Sequence, residues 1–402
     1  MRGVPVAQRR ARLAWRHRLT PGRRAAGPVE VAADLVALHG TDPTSVYVSA
    51  WARMTGGGVA EIEQALYEDR TLIRLLAMRR TVFVTTLEGA AVLQAACSRS
   101  VAARERRKLL GLLLDSGVGG PGEADVERWL AATEEVAERA LRARGETTAT
   151  ELAGDDPRLS AQVVLARGKH YEGRQSVASR LLLLMAAEGR AVRARPRGSW
   201  TSHQYRWSPM TRWCPAGIAE LPAEEAEKEL ARRWLYAFGP APATDLQWWA
   251  GWTRTQTRRA LAGLDTVEVD LDGCTGLLLA EDQEEVAEVE PWAALLPALD
   301  PTPMGWHDRE WFLGPHGHRL FDRAGNIGPS VWWNGRVVGG WSQNADGEIV
   351  HAFLEDVGGE ARAAVAAETE RLARRLGPTR LAVRGRGRSP LEEELAGGGP
   401  QG

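Results

Sequence analysis

The chain has 402 residues, a formal net charge of −1, 44% hydrophobic and 26% charged residues, enough for two or three domains with sizeable cores. That charge balance excludes a uniformly basic nucleic-acid-coating protein, so any such contact must come from local patches. Cys97, Cys214 and Cys274 are scattered without a CxxC pair and fit a reducing cytoplasm, and the apolar runs Leu109–Leu114 and Leu181–Ala187 are too short for a membrane span.

Residues 1–27 hold eight arginines and no acidic residue. Val6–Arg18 therefore reads either as a helix offering guanidinium groups to phosphates or as a disordered basic tail. Pro28 opens a helix with Val31, Leu35 and Leu38 on one face and Gly40 as its stop. The polar run His39-Gly40-Thr41-Asp42-Pro43 then falls just beyond that helix. Helices over Ser45–Met54 and Val59–Tyr67 precede strand-like Thr71–Met78 and Arg80–Thr86, the order of a winged helix.

Glu123–Arg144 is a long amphipathic helix, Thr148 caps Ala149–Ala153, and Ser176–Glu188 is helical. Two alternating strands then surround a Pro-Arg-Gly turn. Period two sets Arg193 and Arg195 on one face with Arg197 at the tip, the layout of a phosphate-gripping wing or of a solvated hairpin. Helix Ala223–Phe238 opens a third unit. In it Thr244 caps a helix to Gly251, and Thr253 starts a second through Leu264 carrying Arg254, Thr255, Arg258 and Arg259. A hairpin about Asp272-Gly273 completes the helix-turn-helix with a wing.

Residues 298–354 are Trp-punctuated short strands with turns at Asn334-Gly335 and Asp346-Gly347. Helix Glu360–Leu376 and a tail expected to be disordered follow. The expected fold class is α+β: tandem winged helix-turn-helix units over 1–122, 123–222 and 223–297, a small C-terminal antiparallel β-rich region over 298–380, and a tail over 381–402.

No Walker A loop, HExxH or GxSxG elbow is present, and His316-Gly-His318 lacks supporting ligands and reads as a loop feature. The run His39–Asp42 remains, and a helix end followed by an Asp-Pro turn accounts for it on its own. Leu35-Val-Ala-Leu-His-Gly-Thr-Asp-Pro with Val46–Arg53, Leu76–Val84, Leu299–Trp306 and Phe321–Trp341, however, resemble the signature blocks of the AlkZ-like winged-helix DNA glycosylases over roughly residues 7–376. The resemblance implies tandem winged helices and excision of alkylated bases, including crosslinked guanines, with no metal or cofactor. His39-Gly40-Thr41 stands where that family has Gln-x-Gln or Gln-x-Asp.

The reading is thus a monofunctional glycosylase acting on cationic N7-alkyl purines or crosslinks in double-stranded DNA, with His39 and Thr41 positioning the water. The alternative is a non-catalytic DNA-binding lesion sensor or regulator. A cytoplasmic, nucleoid-associated monomer without membrane contact is expected, with Arg193, Arg195, Arg197, Arg254, Thr255, Arg258 and Arg259 as DNA contacts.

Overall fold

The computed structural model describes residues 1–287, 289–381 and 387–397. It is a mixed α+β chain of many helices and small sheets. Helix Glu123–Arg144 and helix Ala149–Ala153 have the expected bounds. The latter is closed by a capping box in which the Thr148 hydroxyl accepts from Glu151 N–H and the Glu151 carboxylate from Thr148 N–H.

The N-terminal arm is ordered by what its arginines touch. Helix Val6–Arg16 buries Arg12 against Asp282 and donates to the Asp282 and Glu284 carbonyls. Arg2–Gly3 adds a parallel strand beside Thr266–Asp270, which pairs with Thr275–Leu279. The basic run is therefore mostly spent inside the molecule rather than displayed.

Helix Pro28–Asp34 stops earlier than its apolar stripe suggests. Val36 takes a left-handed φ of +65°, costly for a β-branched residue, and its carbonyl accepts from the Thr85 hydroxyl at 2.9 Å. The reversal turns Leu38–His39 into an edge strand on Val82–Thr86, with Leu38 opposite Val84 and His39 opposite Phe83. Val82–Thr86 pairs on its other side with Leu72–Leu76. Leu38 and His39 satisfy their backbone in a ladder rather than a helix end, which corrects the expectation that Gly40 closes a helix.

Two hairpins, Gln162–Leu165 with Gly173–Ser176 and Ala191–Pro196 with Tyr205–Pro209, flank helix Val177–Ala187. The first of them was not among the expected elements. In the third unit helix Ala243–Ala250 begins one residue before Thr244, and Gly251 ends it with φ +71°. Thr253 caps Arg254–Ala262 through a box with Gln256.

Four antiparallel strands, Ala293–Leu296, Ser330–Trp333, Arg336–Gln343 and Ile349–Phe353, form the C-terminal sheet. One apolar cluster joins Leu13, Trp51, Phe83, Trp200, Trp234, Trp306 and Trp341, so segments from across the chain share a core. A separate cluster drawn from between Leu109 and Trp207 forms around Leu130, Leu181 and Val163. The tail expected to be disordered carries helix Pro390–Ala396, capped by Ser389 and anchored by buried Leu391; residues 382–386 and 398–402 lie outside the described residues.

Candidate functional site

Where the edge strand Leu38–His39 ends, the chain crosses a pocket of about 480 Å³ lined by His39, Thr41, Asp42, Arg79, Arg80, Arg193, His203, Asp322 and Asn326 among others. Larger surface depressions lie elsewhere, but neither gathers His39 and Thr41. The two residues singled out by sequence thus share one cavity. His39 is buried and meets the Phe83 ring edge-on at 5.5 Å between centroids. Thr41 is exposed. Gly40 links them: its N–H donates to the Val82 carbonyl at 2.7 Å, and a Cβ there would lie 3.4 Å from the Val82 and Phe83 backbone.

Asp42 was legible only as part of a turn. Its Oδ1 accepts from Thr44 N–H at 3.0 Å and from the Thr44 hydroxyl at 2.8 Å, capping the buried helix Pro43–Arg53. Asp322 holds its own loop, accepting from Ala324, Asn326 and the Asn326 amide.

The floor behind the helix is tied to the C-terminal region. Arg53 forks onto Asp300 at 2.7 and 2.9 Å, Ser49 donates to Asp300 at 2.7 Å, and the Ser45 hydroxyl donates to the Ala298 carbonyl. Leu299, between those anchors, lines the pocket.

The sequence-expected DNA contacts differ in what holds them. Arg193 points inward, its guanidinium 5.3 Å from the Tyr205 ring and 5.4 Å from the Trp207 ring, and burial pulls its pKa down. Arg195 is held by Glu63 and Glu68, and Arg259 by Glu224 and Glu227. Arg197, Arg254, Thr255 and Arg258 are exposed. The turn arginines at the pocket, Arg79 and Arg80, were not among the expected contacts. Both lie within the family-like block Leu76–Val84, but nothing in one sequence says that Arg80 is held by Glu105 while Arg79 meets no carboxylate among the described residues. Among the described residues, no cluster of three His, Cys, Asp or Glu side chains has the geometry to hold a metal ion, and no helix is long and apolar enough to cross a membrane.

A family model described as "DNA glycosylase AlkZ-like" matches residues 32–375. The solved structure of Streptomyces sahachiroi DNA glycosylase AlkZ superposes with a TM-score of 0.71 at 22% identity, over 95% of this chain and 99% of that one, a likeness of fold. No curated protein matches the sequence.

Proposed function

The chain belongs to the AlkZ-like DNA glycosylase family, and from that premise we propose that it hydrolyses the N-glycosidic bond of cationic alkyl-purines, such as N7-alkylguanine or its crosslinks, in double-stranded DNA. The observation that carries this reading is the convergence of His39, Thr41 and Asp42 on one pocket.

An N7-alkylated purine is already a good leaving group, so the enzyme's task is to place a water at C1′ and to support an oxocarbenium-like sugar. Neutral His39 accepts the proton of that water, and the Thr41 hydroxyl orients it. Asp42, fixed by Thr44, sets a carboxylate where positive charge grows on the sugar. The pocket volume lies within the ordinary range for a bound small molecule, about 300–1,000 Å³, and suits a nucleotide turned out of the helix.

The helix–helix–hairpin order over 243–279 supports a winged-helix reading, and exposed Arg254, Thr255 and Arg258 are then available to phosphate oxygens. Arg197 at the other hairpin tip is similarly placed. Arg195 and Arg259 would first have to leave their carboxylates.

The test is release of abasic sites from N7-methylguanine and crosslinked duplexes by the purified protein. Release sustains the glycosylase. Tight binding with no release on any such substrate would instead support the lesion-sensor alternative.

A further inference from the structure

We propose that Arg79, which lines the pocket, and Arg309, drawn with it to one indole, form the seat for a backbone phosphate of the strand whose nucleotide enters it. The proposal rests on the glycosylase reading above and adds to it a ligand subsite.

The Arg79 guanidinium lies 4.0 Å from the Trp248 ring centroid and that of Arg309 lies 4.8 Å from the same ring, with Phe321 at 4.9 Å on Arg309's other contact. Arg309 spends Nε on the Trp306 carbonyl at 2.8 Å. The buried Nε of Arg79 meets no acceptor. Among the described residues neither cation contacts a carboxylate. Asp245 attracts Arg309 only at longer range; its Oδ1 accepts from the His307 and Asp308 N–H groups, and its buried Oδ2 meets no donor. Of the other arginines lining the pocket, Arg80 forks onto Glu105, and Arg193 lies over the separate Tyr205 and Trp207 rings.

Two like charges drawn to one ring repel each other, and loss of water weakens both further. Burial lowers the pKa of each to about 10, with mutual repulsion contributing for Arg309. Ring quadrupoles compensate only in part. A phosphodiester placed beside both would relieve the repulsion and accept their remaining N–H groups in charge-assisted hydrogen bonds.

The backbone bears a cost to aim Arg79. Arg79 and Arg80 occupy the middle of the Met78–Thr81 turn with φ of +52° and +62°, closed by Thr81 N–H on the Met78 carbonyl at 3.0 Å. Glycine and asparagine usually take such positions, and strain of this kind persists where the surroundings enforce it. Gly251 permits the approach: a Cβ there would stand 3.0 Å from Arg79 Cγ. The seat is thus assembled from the turn, the helix Ala243–Ala250 and the loop after Trp306, three segments far apart in sequence.

The test uses the full chain and an N7-methylguanine duplex in which single phosphates on either side of the lesion are replaced by neutral methylphosphonates. In the wild type one such replacement should weaken binding about tenfold. In Arg79→Met/Arg309→Met, which keeps the stems on the indole, the same replacement should have no further effect. The slope of log affinity against log salt should fall by about 0.9 for each lost contact. Wild-type indifference to every neutral linkage would overturn the proposal, and this measurement needs no variant. Retention by the double variant of full salt slope and methylphosphonate sensitivity would overturn it too. A purely structural role predicts a lower melting temperature with both of those readouts intact. A wild type that binds no duplex at all would instead overturn the DNA reading itself.

Discussion

Arg53 and Asp300, 247 residues apart, form a two-pronged ion pair in which both side chains are completely buried. Ser49, Thr302 and the His17 carbonyl satisfy the remaining polar groups. The pair joins the base of the helix that Asp42 caps to the segment carrying Leu299, so it holds two walls of the pocket in register. Removing one partner strands a charge in the core. Asp300→Ala should therefore destabilise the protein by about 3–5 kcal/mol, read from urea unfolding midpoints. A change below about 1 kcal/mol would mean that water reaches Arg53.

His17 belongs to the same network and should give it a pH dependence. Its ring lies between the Thr302 hydroxyl at 2.8 Å and the Ala237 carbonyl at 3.1 Å. The carbonyl can only accept, which assigns Nε2 as the donor and Nδ1 as the acceptor of a neutral imidazole. Burial, helped by nearby Arg53, lowers its pKa to about 3. The folded state therefore refuses a proton that the unfolded state takes up near 6.5. Stability supplied by neutral His17 should be complete above that value and be lost as pH falls from about 6.5 towards 3. Unfolding midpoints at several pH values should show a shallower acid slope in His17→Gln than in the wild type.

At the proposed site, His39→Ala should reduce base release by about 10²-fold or more while duplex affinity changes little. Thr41→Val should cost less, because it removes a hydroxyl and keeps the shape. Single-turnover release of N7-methylguanine is the measurement. Wild-type rates in His39→Ala would remove this residue from the mechanism.

Asp42 allows its two roles to be separated. Asn caps helices about as well as Asp, so Asp42→Asn should leave the melting temperature nearly unchanged. If the carboxylate supports the developing sugar cation, release should still fall by about tenfold or more. Equal activity in the two proteins would leave Asp42 as a cap alone.

The hairpin arginines should now differ from each other. Arg197→Ala should flatten the salt dependence of duplex binding by about one charge. Arg195→Ala should alter it less, since that cation is already neutralised by Glu63 and Glu68. Equal slopes for the two variants, measured by anisotropy titration, would count against this assignment.

Local patterns in the sequence sufficed wherever the determining interactions are themselves local. The 3.6-residue periodicity and the caps at Thr148 and Thr253 marked their helices because capping and amphipathic burial act within one or two turns. The run from His39 to Asp42 was likewise visible as the one polar cluster with chemical possibilities. Its geometry was not, because the reversal at Val36 is imposed by the Val82–Thr86 strand and by Thr85, almost 50 residues downstream. Period two did place Arg193 and Arg195 on one strand face. Only the packing of that face against Tyr205, Trp207, Glu63 and Glu68 decided that their charges would be spent internally. The same holds in reverse for Arg79 and Arg309: a sequence shows a charge, but whether a carboxylate or an indole faces it depends on which distant segments the fold brings together.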